Sequence, residues 1–410
     1  MPSAVVIGGG VAGYSVVHRL RAGVDGSSWQ GDIHLVCAED VLPYDRPPLS
    51  KEVLRHEWSP AKTLYQNEEW YAERDVTLHR GVKAKAIDPL ACTVSLDNGT
   101  LLSYDSLVLV TGGRPRRLSI PGADLTGVHV LRTLEDVAAI QADVGSATHA
   151  VVIGAGFIGA EVAASLRSLG LQIVMLEMDE VPFARVLGAE VGQFFAQLHT
   201  AEGVQVVCNE TAVAFRGMKK VEAVEGMSGT MYLANFVIVG VGIDPAMELA
   251  VEAGMKCANG ICVDEFGRTS LPNVYAAGDV AEHPNSVLGR RVRLEHLRNA
   301  TNQGDIVARN ILGQESRHEE VPWFWSDQYD VNFQYAGHPD EWDEVVWSGV
   351  PKTRSFTVFY LKNSRIVGAL SANQPRKNKA AMRLIRQGTL VNAPDLRDPE
   401  TDLRQLAKKN

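Results

Sequence analysis

Two glycine-rich segments of matching spacing constrain this chain more than anything else in it: GGGVAG at residues 8–13 and GAGFIG at residues 154–159. Each follows a short apolar run, residues 4–7 and 150–153, and each leads into a helical pattern. An acidic residue closes a later apolar run in both cases, Glu39 after residues 33–36 and Glu177 after residues 173–176. In a strand–turn–helix unit such glycines let the backbone approach a pyrophosphate at the helix N-terminus, and the acid takes a ribose diol. One match is weak. Two, each with its own strand, helix and acid, predict an α/β chain with two Rossmann-type units that binds two dinucleotides at once.

A length of 410 residues suits two or three domains with real cores. No apolar run approaches a membrane span, and the chain enters its first strand after Ser3 with nothing like a signal peptide, so a cytoplasmic protein is expected. A net charge of −9 argues against nucleic acid as a general partner. The five cysteines (Cys37, Cys92, Cys208, Cys257, Cys262) are scattered singly without a CxxC pair, which reads as inert thiols in a reducing compartment. No metal site is expected.

Residues 1–113 read as a first αβ unit: after Glu39 a Pro-rich turn, then a β-meander over 77–88, 93–96 and 101–110, with Asp97-Asn98-Gly99 as its hairpin signal. Residues 114–237 repeat the plan, with a helix over 188–200 and a strand over 204–207. The chain then returns through a strand at 236–239 to NVYAAGDV (residues 273–280), and a helix is expected over 299–312. From Val321 the composition turns aromatic and alternating, predicting strands at 331–336, 345–348, 355–361 and 366–371 and a helix over 379–388, a third, α+β unit.

With these segments placed, the chain resembles the FAD-dependent ferredoxin reductases of bacterial oxygenase systems, flavoproteins of the glutathione-reductase type. The markers are GGGVAG, RPPLSK (residues 46–51), VTGGRPR (110–116), GAGFIGAEVA, YAAGDV (275–280) and VPWFWSDQYD (321–330), and they span essentially the whole chain. The resemblance implies an FAD-binding domain from residues 1–113 and 238–320, an NADH-binding domain at 114–237 and a C-terminal interface domain at 321–410.

It also implies roles. Gly10, Val11, Ala12 and Gly13 would line the FAD pyrophosphate and Glu39 its adenosine ribose. Arg46 would meet the phosphates and Lys51 the flavin ring, where a cation favours the anionic reduced form. Thr111 and Gly112 mark the crossover where the backbone nears the flavin, and Val82 and Arg132 are further FAD contacts. Asp279 would hold a ribityl hydroxyl, with Val280 starting a turn or helix whose dipole faces the ring. On the second fingerprint, Gly154, Gly156, Ile158 and Gly159 would receive the nicotinamide dinucleotide, with Gly240 and Gly242 admitting its backbone. Glu177, followed by Met178, Asp179 and Glu180, disfavours a 2′-phosphate and so favours NADH, although Arg185 lies nearby. Glu161 resembles the residue that meets the nicotinamide side and is expected to pair with Lys51, Glu295 lies near the nicotinamide, and Trp325 is placed at the isoalloxazine. Trp323 sits nearer the acceptor surface. His296 departs from the Ser or Asn expected there and reads as a helix-start histidine satisfied by a neighbour.

Related reductases on this fold relay electrons through cysteines, and no cysteine pair stands in the matching places here. Electrons must then leave the flavin directly: a hydride arrives from NADH, and single electrons pass to a [2Fe–2S] ferredoxin. No side chain need act as acid or base; Lys51, Glu161 and Trp325 align and tune the rings. Two arginine-rich clusters, at 290–298 and 376–386, would steer an acidic ferredoxin in transient, electrostatic contact with a monomer or weak homodimer. The alternatives are rubredoxin, a quinone or monodehydroascorbate as acceptor, or a redox-gated binding protein resembling apoptosis-inducing factor.

Overall fold

In the computed structural model, which describes residues 1–406, the duplicated plan is visible as two five-stranded parallel sheets. The first runs Val274–Ala276, Ser106–Leu109, Ser3–Ile7, Asp32–Cys37, Val76–Arg80, all parallel. The second runs Val204–Val207, Gln172–Leu176, His149–Ile153, Phe236–Val239, Val128–His129, again all parallel. Their central strands, SAVVI and HAVVI, are buried along nearly their whole length, as strands covered on both faces must be. Each sheet carries a three-stranded antiparallel meander: Ala84–Asp88, Thr93–Leu96 and Leu101–Ser103 on one, Ala212–Arg216, Ala223–Gly226 and Met231–Leu233 on the other.

The expected strand over 77–88 is two strands. Val76–Arg80 joins the parallel sheet beside Asp32–Cys37, and the meander starts only at Ala84. Gly81, at φ +66°, turns the chain between them, and the Val82 N–H returns to the Cys37 carbonyl at 3.2 Å. The helix expected over 188–200 begins a turn earlier, as Ala184–Ala201, with a kink at Gly188.

Two crossings of the chain between the parallel sheets pair as an antiparallel ribbon, Gly113–Pro115 with Ile243–Pro245. The C-terminal unit is a five-stranded antiparallel sheet in the order Trp323–Gln328, Val331–Gly337, Arg365–Ala372, Ser355–Lys362, Glu344–Val350. The first of these strands was not among the expected ones. Helix Pro375–Gln387 starts on a proline, ends at Gly388 in the left-handed region, and turns Ala381, Leu384 and Ile385 into the core of this unit. Phe324 packs on Phe157 of the second fingerprint helix at a ring separation of 4.5 Å, which seats the C-terminal sheet against the second unit. No helix among the described residues is long and apolar enough to cross a membrane.

Candidate active site

The two fingerprints use their glycines in the same way. A Cβ on Gly8, at φ +130°, would lie 2.2 Å from the Val110 carbonyl oxygen, and one on Gly13 would lie 2.0 Å from the Gly8 oxygen. The second turn repeats this: Gly154 faces the Gly240 oxygen at 2.5 Å and Gly159 the Gly154 oxygen at 2.0 Å. The middle glycines differ from the outer ones. Nothing lies within 4 Å of a Cβ built on Gly10 or Gly156. Both are N-caps of long helices, Val11–Ala22 and Phe157–Ser168, and neither supplies a side-chain cap. Packing therefore requires the outer glycines, whereas the middle ones leave an open cradle where uncapped helix N–H groups face outward. That arrangement fits a pyrophosphate.

Around the first cradle, side chains from four segments form a line. Glu39 accepts from the Tyr44 hydroxyl at 2.6 Å and from Arg46 Nη2 at 2.7 Å. Arg46 also donates to the Arg132 carbonyl, and Arg132 Nη2 pairs with Asp279 at 2.9 Å. Gly112, at φ +65°, lies under Arg132, where a Cβ would sit 3.1 Å from Nη2. The Thr111 hydroxyl is spent on the Ala246 carbonyl at 2.7 Å, so the crossover is stitched to the returning chain. Gly278 N–H is held by Gln303 at 2.7 Å, which fixes the turn carrying Asp279. Val280 does not open a helix: Gly278–Val280 is a single 3-10 turn that runs into strand Ala281–Asn285, so no helix dipole arises there.

At the C-terminal end of the RPPLSK turn, Lys51 and Glu161 form an ion pair of 3.0 Å with both side chains about 95% buried. Burying two charges is costly unless the remaining bonding capacity is met. Here it is met. Glu161 Oε2 also accepts from Ser50 Oγ at 2.5 Å, and Oε1 accepts from Ser326 Oγ at 2.8 Å and from the Asp327 N–H at 3.3 Å. One carboxylate thus ties the RPPLSK turn, the second fingerprint helix and the first C-terminal strand. On the other face of that strand, Trp325 stacks on Trp323 at 5.8 Å and donates through Nε1 to Asp327 at 3.1 Å. Trp323 Nε1 reaches Asn378 at 3.1 Å.

The second cradle is more open. Glu177 turns its carboxylate onto its own fingerprint, accepting the Ala155 N–H at 2.7 Å and the Asp179 N–H at 3.0 Å. Ile158 and Met178 are about half exposed, with Arg185 reaching the Met178 sulfur at 3.6 Å. Arg185 is clamped by Asp179, Nε to Oδ2 at 3.0 Å. Gly240 packs against Gly159, and above Gly242, at φ +97°, the space is clear. Glu295 pairs with Arg293 at 2.8 Å, and Arg293 donates in turn to the Asp279 carbonyl. His296 is not satisfied as expected: its Nδ1 is buried without a partner among the described residues, its ring lies 4.6 Å from Phe324, and burial pushes the imidazole down to about 4.

All five cysteines are free thiols. Cys37 lies directly beneath the first fingerprint, and burial pushes its thiol up to about 12, so it is no thiolate at neutral pH. Of the two basic clusters, the first is largely spent: Arg290 pairs with Asp340, Arg293 with Glu295 and Arg298 with Glu320, while Arg291 donates to backbone carbonyls. On helix Pro375–Gln387, Arg376, Lys379, Arg383 and Arg386 form one exposed stripe, and none of the four makes an ion pair among the described residues.

Sequence reasoning passed over Tyr44, Gln303 and the pair Ser326 and Asp327. The only available signal for the last two was a Ser and an Asp following the alternating aromatics of WFWSDQ.

Two mirrored dinucleotide cradles, joined through a buried Lys–Glu pair at the seat of a third unit, define a two-nucleotide flavoprotein oxidoreductase. The chain belongs to the pyridine nucleotide-disulphide oxidoreductase family, whose profile matches residues 2–304, and a "Reductase C-terminal" profile matches residues 323–407. This membership brings FAD and NAD(P)H as cofactors. Among similar proteins, a ferredoxin–NAD(P)(+) reductase of a Sphingomonas species is 36% identical over 98% of this chain and 97% of its own length. The ferredoxin–NAD(+) reductase subunit of a benzene 1,2-dioxygenase system from Pseudomonas putida is 35% identical over 99% of this chain and 97% of its own. In the crystal structure of the covalent putidaredoxin reductase–putidaredoxin complex, one chain superposes with a TM-score of 0.95 at 33% identity, covering 100% of this chain and 99% of that one.

Proposed function

We propose that this chain is an NADH-dependent FAD reductase that passes electrons to a [2Fe–2S] ferredoxin serving an oxygenase. The observation that carries the reading is the Lys51–Glu161 pair, buried where the RPPLSK turn, the second fingerprint helix and the aromatic strand meet. FAD, when bound, supplies the conversion of a two-electron donor into one-electron steps. The protein's part is placement. Gly10, Val11, Ala12 and Gly13 offer the first cradle's N–H groups, Glu39 and Arg46 stand at its ribose and phosphate end, and Arg132 and Asp279 follow toward the ring. With FAD bound, Lys51 would stand toward the ring, Glu161 would orient Lys51, and Trp325 would pack against the ring. Val82, Thr111, Gly112 and Val280 would shape the backbone around the flavin, and Glu295 would flank the nicotinamide.

The domain division at 113, 238 and 320 accords with the crossover ribbon and with the return of Val274–Ala276 to the first sheet. NADH is preferred to NADPH because Glu177 occupies the 2′ side while Asp179 neutralises Arg185. The ferredoxin docks transiently on the stripe Arg376, Lys379, Arg383 and Arg386, close to Trp323, whose indole is bonded to the same helix. The free thiols fit a reducing cytoplasm, and the enzyme works as a monomer or weak homodimer.

The test is anaerobic stopped-flow mixing of FAD-loaded protein with NADH or NADPH, followed by addition of an acidic [2Fe–2S] ferredoxin. Flavin bleaching within a second by NADH, slower with NADPH, and then salt-sensitive reoxidation by the ferredoxin is expected. Slow bleaching to a persistent long-wavelength band would overturn the reductase reading.

A further inference from the structure

Glu161 has a buried supply line that its expected role does not call for. Ser326 Oγ, which donates to Glu161 Oε1, itself accepts from Gln328 Nε2 at 3.1 Å. Gln328 Oε1 lies 3.1 Å from His199 Nε2, and His199 Nδ1 lies 2.8 Å from the Tyr329 hydroxyl. Ser326, Gln328 and His199 have no solvent exposure. Burial pushes the His199 imidazole down to about 4, so it is neutral and carries one proton. Gln328 Oε1 can only accept, which places that proton on Nε2 and leaves Nδ1 to accept from Tyr329.

Every donor in the chain then points the same way. Tyr329 O–H donates to His199, His199 Nε2–H to Gln328, the Gln328 amide to Ser326, and Ser326 O–H to Glu161. Bonds aligned in this sense polarise one another and strengthen the last of the series. The members come from three elements: helix Ala184–Ala201 supplies His199, helix Phe157–Ser168 supplies Glu161, and the first C-terminal strand with its following turn supplies the rest.

We infer that His199, Gln328 and Tyr329 are positioning residues: they fix Ser326 as a one-way donor and so lock the Glu161 carboxylate, and with it Lys51, in the orientation that aligns nicotinamide and flavin. The inference rests on the role proposed above for Glu161. The amide of Gln328 sets the polarity of the chain, because its Oε1 can only accept and its Nε2 can only donate, whereas a hydroxyl or an imidazole can reverse its roles. A carboxylate of equal size at 328 would still accept from His199 but would draw the Ser326 hydroxyl away from Glu161.

The test is a double-mutant cycle on the FAD-loaded enzyme. Gln328→Glu and Tyr329→Phe are made alone and in the Glu161→Gln background. Three quantities are read: the limiting rate of flavin reduction by NADH, the calorimetric affinity of the oxidised enzyme for NAD+, and deuterium exchange in a peptide covering residues 323–331. Gln328→Glu is expected to slow reduction five- to twentyfold and to speed exchange at Asp327, with NAD+ affinity within threefold. Tyr329→Phe, which keeps the volume and loses one donor, is expected to slow reduction about twofold. In the Glu161→Gln background both effects vanish. If Glu161→Gln alone leaves reduction unchanged, the role of Glu161 is wrong and this inference falls with it. If Glu161→Gln slows reduction but the Gln328→Glu effect is absent or persists undiminished beside it, Glu161 stands and the relay is overturned.

Discussion

The two fingerprint units share strand order, turn geometry and meander, yet they treat their ligand grooves oppositely. In the first, the fingerprint acid Glu39 is bound to Arg46, and the line continues through Arg132 to Asp279, so segments far apart in sequence are tied together. In the second, Glu177 bonds only to backbone of its own unit, and Ile158 and Met178 stay about half exposed. A groove closed by contacts between distant segments opens only at the cost of those contacts, whereas one closed locally exchanges its ligand freely. On the function proposed above, the first unit would retain its cofactor and the second would release its nucleotide at each turnover.

The sharpest way to break this comparison is to make the same substitution in both halves. Gly13→Ala and Gly159→Ala each force a Cβ to within about 2.0 Å of a backbone oxygen that cannot yield cheaply. Such overpacking typically costs about 1–3 kcal/mol. Gly13→Ala is expected to purify with at least tenfold less FAD, measured by flavin absorbance against protein. Gly159→Ala should keep its FAD and need at least tenfold more NADH for half-maximal reduction. Equal loss of FAD in both would show that the halves are not separable.

Acid sharpens the comparison at the next level. Burial holds His199 near 4, His283 near 3 and His296 near 4, against an ordinary value of 6.5. Each takes a proton more readily in the unfolded chain, so the unfolded state binds more protons below about pH 6.5. Stability is therefore fully present above that pH and is lost as pH falls toward 4, by up to about 1.4 kcal/mol per pH unit for each histidine. His283 reaches the AAGD turn through Gln303, so FAD release should lead the acid transition. Flavin fluorescence against pH checks this, and His283→Gln is expected to move the release midpoint lower. An unchanged midpoint would remove His283 from the account.

Much of this was legible in the sequence because the decisive features are local. The two turns and their acids follow from short motifs whose geometry is set within a strand and a helix, whereas the Lys51–Glu161 pairing, between residues 110 apart, was expected from the family resemblance alone. What stayed hidden depends on tertiary placement. Arg290, Arg293 and Arg298 read as a free basic cluster, but acids from other segments (Asp340, Glu320) and a near neighbour (Glu295) neutralise them. Val280 was expected from the resemblance to start a turn or a helix, and only the pairing of Ala281–Asn285 with Arg290–Arg293 shows that a turn runs into a strand there. Gln328 and His199 lie 129 residues apart, and no spacing rule would join them.

The smallest expected effect concerns nucleotide choice in the open half. Arg185 is 71% exposed and held by Asp179 through two contacts, Nε to Oδ2 at 3.0 Å and Nη2 to Oδ1 at 3.2 Å. An exposed pair of this kind contributes about 0–1 kcal/mol to stability, so Asp179→Ser should leave folding intact. It also releases the Arg185 guanidinium, held two residues beyond Glu177 by Asp179. If that guanidinium reaches the 2′ position, kcat/KM for NADPH rises roughly three- to tenfold, which corresponds to about 0.7–1.4 kcal/mol. The value for NADH stays within about twofold, because Glu177 keeps its two backbone bonds. Steady-state kinetics with both nucleotides decides the matter. No gain with NADPH would mean that Glu177 alone sets the preference and that the clamp on Arg185 serves only the turn it spans.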